Sequence, residues 1–214
     1  MKRVDYRLYA VTDRGDRSEA DFLAAVEEAL RGGVTVLQLR EKNSLPHEKE
    51  RLAKEVLHLC RQYRVPCLIN DDVELAKGIE ADGVHLGQSD MPPSQARNIL
   101  GDGAIIGVTA KTVAQAEQAE AAGADYLGSG AMLVSATKTD ALPLSRQKLI
   151  EIVRSTSLPV VAIGGLQADN LQILSGTGVA GAAISGGIFR AASIRQETET
   201  LKKRMTALLK EDNE

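Results

Sequence analysis

Gly32-Gly33-Val34-Thr35-Val36-Leu37-Gln38-Leu39-Arg40-Glu41-Lys42 sets a pattern that recurs along the whole chain. A glycine pair leads into the apolar run Val34–Leu39, which breaks off into charged residues. The run lacks clean polar alternation, as a strand covered on both faces should. Seven more such runs follow the same grammar: Leu8–Val11, Pro66–Ile69, Gly83–Leu86, Ala104–Val108, Ala124–Leu127, Pro159–Ile163 and Val179–Ile184. Helical patterns separate them. Leu23, Val26 and Leu30 share one face, as do Leu52, Val56, Leu59 and Tyr63, and Leu201, Met205 and Leu208. Gly32-Gly33, Gly78, Gly101, Gly103, Gly123 and Gly178 fall between a helix pattern and the next strand, where a helix end takes a left-handed residue.

Eight strand–helix units in 214 residues average about 27 residues each, a normal size for βαβ repetition. Eight units of similar length and no Gly-x-Gly-x-x-Gly turn favour an α/β fold of the closed (β/α)8 TIM barrel type. An open doubly wound sheet uses the same alternation and is the competing architecture. One domain spans 1–214, with a polar tail, Lys210–Glu214, expected to fray.

Composition narrows the partners. Hydrophobic residues make up 43% and charged residues 26%, ordinary for a globular protein. A net charge of -3 offers no long-range attraction to nucleic acid or an acidic membrane. Aromatics are 3% with no Trp, so stacking platforms for single strands are not expected. Met1–Tyr6 leads into no apolar stretch of signal length, and no run is long enough to span a bilayer. A cytoplasmic location is expected, with Cys60 and Cys67 as buried, reduced thiols outside any zinc or redox spacing. Oligomeric state is not legible.

A closed barrel places its active site at the C-terminal ends of its strands, and unusual polar residues gather there. Gln38, Arg40 and Lys42 share a face at period two. Asn70-Asp71-Asp72 follows the third run, His85-Leu86-Gly87-Gln88-Ser89-Asp90 ends the fourth, and Thr109 ends the fifth. Gly164-Gly165 and Ser185-Gly186-Gly187 end the last two. Arg40, Lys42 and Lys138 could converge on an anion, against the alternative of ordinary surface charge. Asp71 and Asp90 suit Mg2+, which takes one or two carboxylates and completes its shell with water and phosphate oxygens; salt bridging to Arg40 and Lys42 is the alternative. Asp72, with Glu74 after it, reads as a helix cap. The glycines of the last two strand ends could bare backbone N–H groups to a phosphate, or serve close packing alone. The long connection Ser129–Leu144, carrying Ser135, Thr137 and Lys138, is a candidate lid. Two anion sites in one mouth follow.

Val36-Leu37-Gln38-Leu39-Arg40-Glu41-Lys42, Ile69-Asn70-Asp71-Asp72, Asp82-Gly83-Val84-His85-Leu86-Gly87-Gln88, Ala124-Asp125-Tyr126-Leu127-Gly128 and Val161-Ala162-Ile163-Gly164-Gly165 resemble the signature segments of thiamine-phosphate synthases. The likeness is collinear from Leu8 to Phe189. It implies Mg2+-dependent transfer of a pyrimidine from its diphosphate to a thiazole phosphate, with Asp71 and Asp90 as metal ligands. It also implies that Gln38, Leu39, Arg40, Glu41, Lys42, Asn70, Thr109 and Lys138 hold the pyrimidine diphosphate, with Arg40, Lys42, Thr109 and Lys138 assisting its departure. Ser135, Ala136, Thr137, Gly165, Ile184 and Ser185 would hold the thiazole phosphate. The implied mechanism loses diphosphate first, and the thiazole nitrogen captures the resulting cation.

The chain departs from that pattern in three places. Thr109 stands where the family usually has Ser, which keeps the hydroxyl. Lys111 stands where His is frequent. Ala131-Met132-Leu133-Val134-Ser135 replaces a segment that usually holds two prolines, which frees the open loop. A thiazole tautomerase on the same barrel would use a His where Lys111 stands. A sugar-phosphate isomerase or aldolase would need a Schiff-base lysine or a close acid–base pair. A decayed barrel that only senses a phosphate ligand is the non-catalytic alternative. His85, at a strand end in a compact turn, reads as structural rather than as a base.

Overall fold

The computed structural model describes residues 4–41, 44–133 and 143–211. Eight parallel strands form a closed barrel in chain order: β1 (Leu8–Val11), β2 (Val36–Leu39), β3 (Cys67–Asn70), β4 (Gly83–Leu86), β5 (Ile105–Thr109), β6 (Tyr126–Gly130), β7 (Val160–Ile163) and β8 (Gly181–Ile184). Closure lies in the β1–β8 ladder, where Tyr9 pairs with Ala183, and that ladder excludes an open sheet. Outside pack α1 (Glu19–Arg31), α2 (Pro46–Tyr63), α3 (Val73–Gly78), α4 (Pro93–Leu100), α5 (Val113–Ala121) and α6 (Arg146–Arg154). After β8 come the one-turn α7 (Gly186–Phe189) and α8 (Ile194–Glu211), which carries the chain through Lys210 and Glu211. Between β7 and β8 the connection holds a 3-10 turn, Leu171–Leu174, instead of a full helix.

Six strands, β2, β3 and β5 to β8, begin one or two residues later than the apolar runs suggest, and for β2 and β6 the reason is the same. Val34 donates back to Ala29 O and Gly33 to Leu30 O; Ala124 donates to Ala119 O and Gly123 to Glu120 O. Gly33 (φ 97) and Gly123 (φ 85) are left-handed, so Val34 and Ala124 finish helices rather than start strands. The same paired bonds end α2 and α3, where Arg64 (φ 56) and Glu80 (φ 55) take the left-handed position. Gly78, expected to be the left-handed joint, is instead the last residue of α3, and Gly103 is not left-handed either. Gly176-Thr177-Gly178-Val179-Ala180-Gly181 has Gly-x-Gly-x-x-Gly spacing but leads into β8 rather than from a strand to a helix, so it is no dinucleotide turn.

Side chains alternate across each strand. Leu8, Ala10, Leu37, Leu39, Cys67, Ile69, Val84, Leu86, Ile106, Val108, Leu127, Ala162, Ala182 and Ile184 face outward into the apolar layer shared with the helices. Tyr6, Tyr9, Val11, Val36, Leu68, Tyr126, Val161 and Ala183 fill the barrel interior. Glycine makes room for the larger rings there. A Cβ on Gly107 would stand 2.0 Å from Tyr126 Cζ, and one on Gly128 would stand 2.9 Å from His85 Cε1. Cys60 and Cys67 are buried free thiols. The Cys67 thiol is pushed up by its hydrogen bond with Cys60 and by burial. No helix among the described residues is long and apolar enough to cross a membrane.

Candidate active site

The floor of the mouth is a polar chain across the barrel interior. Gln38 Nε2 on β2 donates to Tyr9 Oη on β1 at 2.7 Å. Tyr9 Oη and Tyr126 Oη are 2.8 Å apart, Tyr126 Oη is 2.8 Å from His85 Nδ1, and His85 Nε2 is 3.0 Å from Thr109 Oγ1. Burial pushes both phenols far above their ordinary values, so each stays protonated. His85 is thus built into a structural chain, and Gln38 and Thr109 form its two ends.

Arg40 leaves β2 with its backbone held on both sides by Thr12: its N–H donates to Thr12 Oγ1 at 2.9 Å, and that hydroxyl faces Arg40 O at 3.4 Å. Glu41 has a buried side chain 3.6 Å from the Arg14 guanidinium of the β1 loop. Leu39 and Ile184 point away from the mouth into the helix-facing core. Only their backbones are therefore available to a substrate.

On β3 and β4 the carboxylates divide their work. Asp71 has φ 65, a conformation most side chains avoid, and its N–H donates to His85 O at 2.9 Å. Asp90 Oδ2 accepts the Gly87 N–H at 2.6 Å, while its Oδ1 has no hydrogen-bond partner among the described residues. Asn70 and Asp71 line a groove of about 900 Å³ together with Glu41, Lys49, Asp72 and Met91. Asp72 caps α3 through the Leu75 N–H at 2.9 Å and meets Lys49 Nζ at 2.7 Å. No group of three or more His, Cys, Asp or Glu placed to hold a metal ion stands among the described residues. A cation here would rest on Asp71 and Asp90, and Mg2+ accepts so few protein carboxylates because water and phosphate oxygens complete its shell. The hard oxygen donors present fit it.

The far side of the mouth is built by β6, β7 and β8. Ser129 and Gly130 belong to β6, so the lid connection starts later than its expected bound. Its described root is pinned: Met132 donates to Ile163 O at 2.9 Å, Leu133 to Gly164 O at 3.0 Å, and Leu144 to Ala131 O at 2.6 Å. Gly164 (φ 104) and Gly165 (φ 68) allow this approach, since a Cβ on either would come within 2.6 Å of Ala131 or Leu133. Close packing thus accounts for these two glycines by itself. Ser185 O accepts from Ile188 and Phe189 at the start of α7. Arg190 reaches Asp13 at 2.7 Å, and Arg17 donates to Phe189 O, so the β1 loop clamps α7. Lys42, Ser135, Ala136, Thr137 and Lys138 lie outside the described residues.

The structure brings Gln38, Arg40, Asn70, Asp71, Asp90 and Thr109 to one end of the barrel, on β2 through β5. Reading the sequence missed Tyr9, Thr12 and Tyr126, which hold several of them. The signal was period-two parity: a polar residue between apolar ones in a strand covered on both faces must find a partner inside.

The sequence signature described as thiamine monophosphate synthase matches residues 8–188. The chain is 43% identical over 209 residues to thiamine-phosphate synthase 2 of Streptococcus pneumoniae serotype 4, covering 98% of this chain and 100% of that one. It is also 43% identical over 201 residues to the thiamine-phosphate synthase of Clostridium acetobutylicum, covering 94% and 95%. The solved structure of a thiamine phosphate pyrophosphorylase from Pyrococcus furiosus superposes with a TM-score of 0.88 at 37% identity, over 96% of this chain and 98% of that one. A mouth built on these strand ends and a match over nearly the whole length agree: the chain belongs to the thiamine monophosphate synthase family, and with it to the transferases of thiamine biosynthesis.

Proposed function

We propose that this chain joins 4-amino-2-methyl-5-(diphosphooxymethyl)pyrimidine to a thiazole ethyl phosphate, giving thiamine phosphate and diphosphate. The observation that carries the reading is the gathering of Gln38, Arg40, Asn70, Asp71, Asp90 and Thr109 at the ends of four consecutive strands. Asp71 and Asp90 would hold Mg2+, which supplies charge neutralisation for the leaving diphosphate when bound. Arg40 offers a planar fork to diphosphate oxygens, on a backbone braced by Thr12. Lys42 and Lys138 would add point charges to the same anion. Gln38 and Thr109 orient the pyrimidine ring from the barrel floor. The thiazole phosphate would lie against Ser135, Ala136, Thr137, Gly165, Ile184 and Ser185, its ring nitrogen free to attack.

The proposed order is dissociative: the carbon–oxygen bond to diphosphate breaks, then the thiazole nitrogen donates its pair to the pyrimidine methyl carbon. No proton moves in either step, so the site needs position and charge rather than a base. Phosphorus NMR of diphosphate release tests the reading. Release is expected only when pyrimidine diphosphate, thiazole phosphate and Mg2+ are all present. Equal release without the thiazole would mean hydrolysis and would overturn it.

A further inference from the structure

We propose that the buried chain Gln38–Tyr9–Tyr126–His85–Thr109 is a specificity device that fixes opposite hydrogen-bonding senses at its two ends, selecting an amino-substituted heterocycle over its oxo counterpart. The inference rests on the proposed use of a pyrimidine substrate and assigns Tyr9 and Tyr126 as positioning residues.

Tyr9 and Tyr126 are fully buried, and each phenol carries one hydrogen and lies between two partners. A neutral imidazole has one donor nitrogen and one acceptor nitrogen. Every link therefore has one hydrogen, and all links must point the same way along the chain. A break in the order would leave a buried hydrogen without an acceptor, which the fully buried interior penalises.

Gln38 Nε2 donates to Tyr9, and the rest follows. Tyr9 donates to Tyr126, Tyr126 donates to His85 Nδ1, and His85 Nε2–H donates to Thr109 Oγ1. Gln38 is left with its carbonyl Oε1 as a free acceptor, for which no hydrogen bond is present among the described residues. Thr109 is left with its hydroxyl hydrogen as a donor. A 4-aminopyrimidine edge offers an amino donor beside a ring-nitrogen acceptor, the complement of that pair in sense. The oxo ring offers a carbonyl acceptor beside an N–H donor. Matching it at the same two atoms requires inverting every link, including the Gln38 amide and the His85 tautomer; the second Nε2 hydrogen of Gln38 and the second lone pair of Thr109 would meet it only with Gln38 Oε1 and the Thr109 hydrogen left unmatched. Tyr9 and Tyr126 thereby act at a distance, through the residues at the chain's ends.

The test combines nitrogen NMR of 15N-histidine-labelled full-length protein with kcat/KM for the aminopyrimidine diphosphate and its 4-oxo analogue. A His85→Gln spectrum assigns His85 among the three histidines. The wild type is expected to show His85 as the Nε2–H tautomer and to favour the amino substrate by about a hundredfold or more. Tyr9→Phe keeps the ring and removes only the linking hydroxyl. It should turn His85 into a tautomer mixture and narrow the amino/oxo ratio by about tenfold; Tyr126→Phe should do the same. An Nδ1–H tautomer in the wild type would overturn the proposal. So would Tyr variants that slow both substrates equally or leave the tautomer unchanged, since that pattern marks a merely structural role. A wild type that turns over neither pyrimidine would refute the proposed reaction, while the tautomer measurement would still decide the polarity of the chain.

Discussion

Asp71 and Asp72 are adjacent carboxylates with different duties, and backbone conformation separates them. Asp71 is left-handed and lines the groove, whereas Asp72 turns to the N-terminus of α3 and to Lys49 on α2. Partial burial pulls the Asp72 carboxyl up, but the Lys49 ammonium and the Leu75 N–H outweigh it and hold the group below its ordinary 3.8. A depressed carboxylate contributes stability above its unfolded value and loses it as pH falls through the folded one. Asp72→Ala should therefore cost about 1 kcal/mol near neutral pH, in urea unfolding. The gap from wild type should close as the pH drops below about 4. A gap independent of pH would contradict the assignment. The cap at Asp72 was legible in the sequence, because an Asp before Val73-Glu74 has a local partner three residues on. The partnership of Tyr9 with Tyr126 was not, because their positions are 117 residues apart and only barrel closure joins them.

Helix ends explain where the reading of elements slipped. Apolar runs mark buried residues, and the residue after a left-handed helix terminus is also buried, so Val34 and Ala124 looked like strand starts. Gly33 and Gly123 could be recognised at such ends, since glycine adopts positive φ without a steric cost. Arg64 and Glu80 could not, as nothing local distinguishes them from other surface charges. Arg64 is exposed with φ 56, and a left-handed side chain costs roughly 1–2 kcal/mol. After allowing for the greater freedom of glycine in the unfolded chain, Arg64→Gly should stabilise the protein by about 0.5–1 kcal/mol. A midpoint of thermal or urea unfolding that falls instead would show that the arginine side chain matters more than its backbone.

At the scale of the whole molecule, fold and site depend on the same closure. Eight runs covered on both faces, with evenly sized helical patterns between them, made the barrel legible. The strand ends then pointed to Gln38, Arg40, Asn70, Asp71, Asp90 and Thr109. The reduced β7–β8 connection and the interior polar chain were not legible, because both depend on how the strands meet inside. Gly107 connects these levels. Its missing side chain makes the space for the Tyr126 ring, and through it for the chain from Gln38 to Thr109. Gly107→Ala should cost about 3 kcal/mol by overpacking, with a fall in kcat/KM from the displaced floor. Wild-type stability and turnover in that variant would refute the packing account.

In the proposed function, this barrel mouth condenses a pyrimidine diphosphate with a thiazole phosphate under Mg2+. The most direct measurement is the amount of thiamine phosphate and of diphosphate formed over time by the purified protein, before EDTA, after it, and after Mg2+ is restored. The account predicts equal amounts of both products, abolished by EDTA and recovered with Mg2+. Thiamine phosphate formed at full rate in EDTA, or none formed by folded protein with both substrates and Mg2+ present, would contradict it.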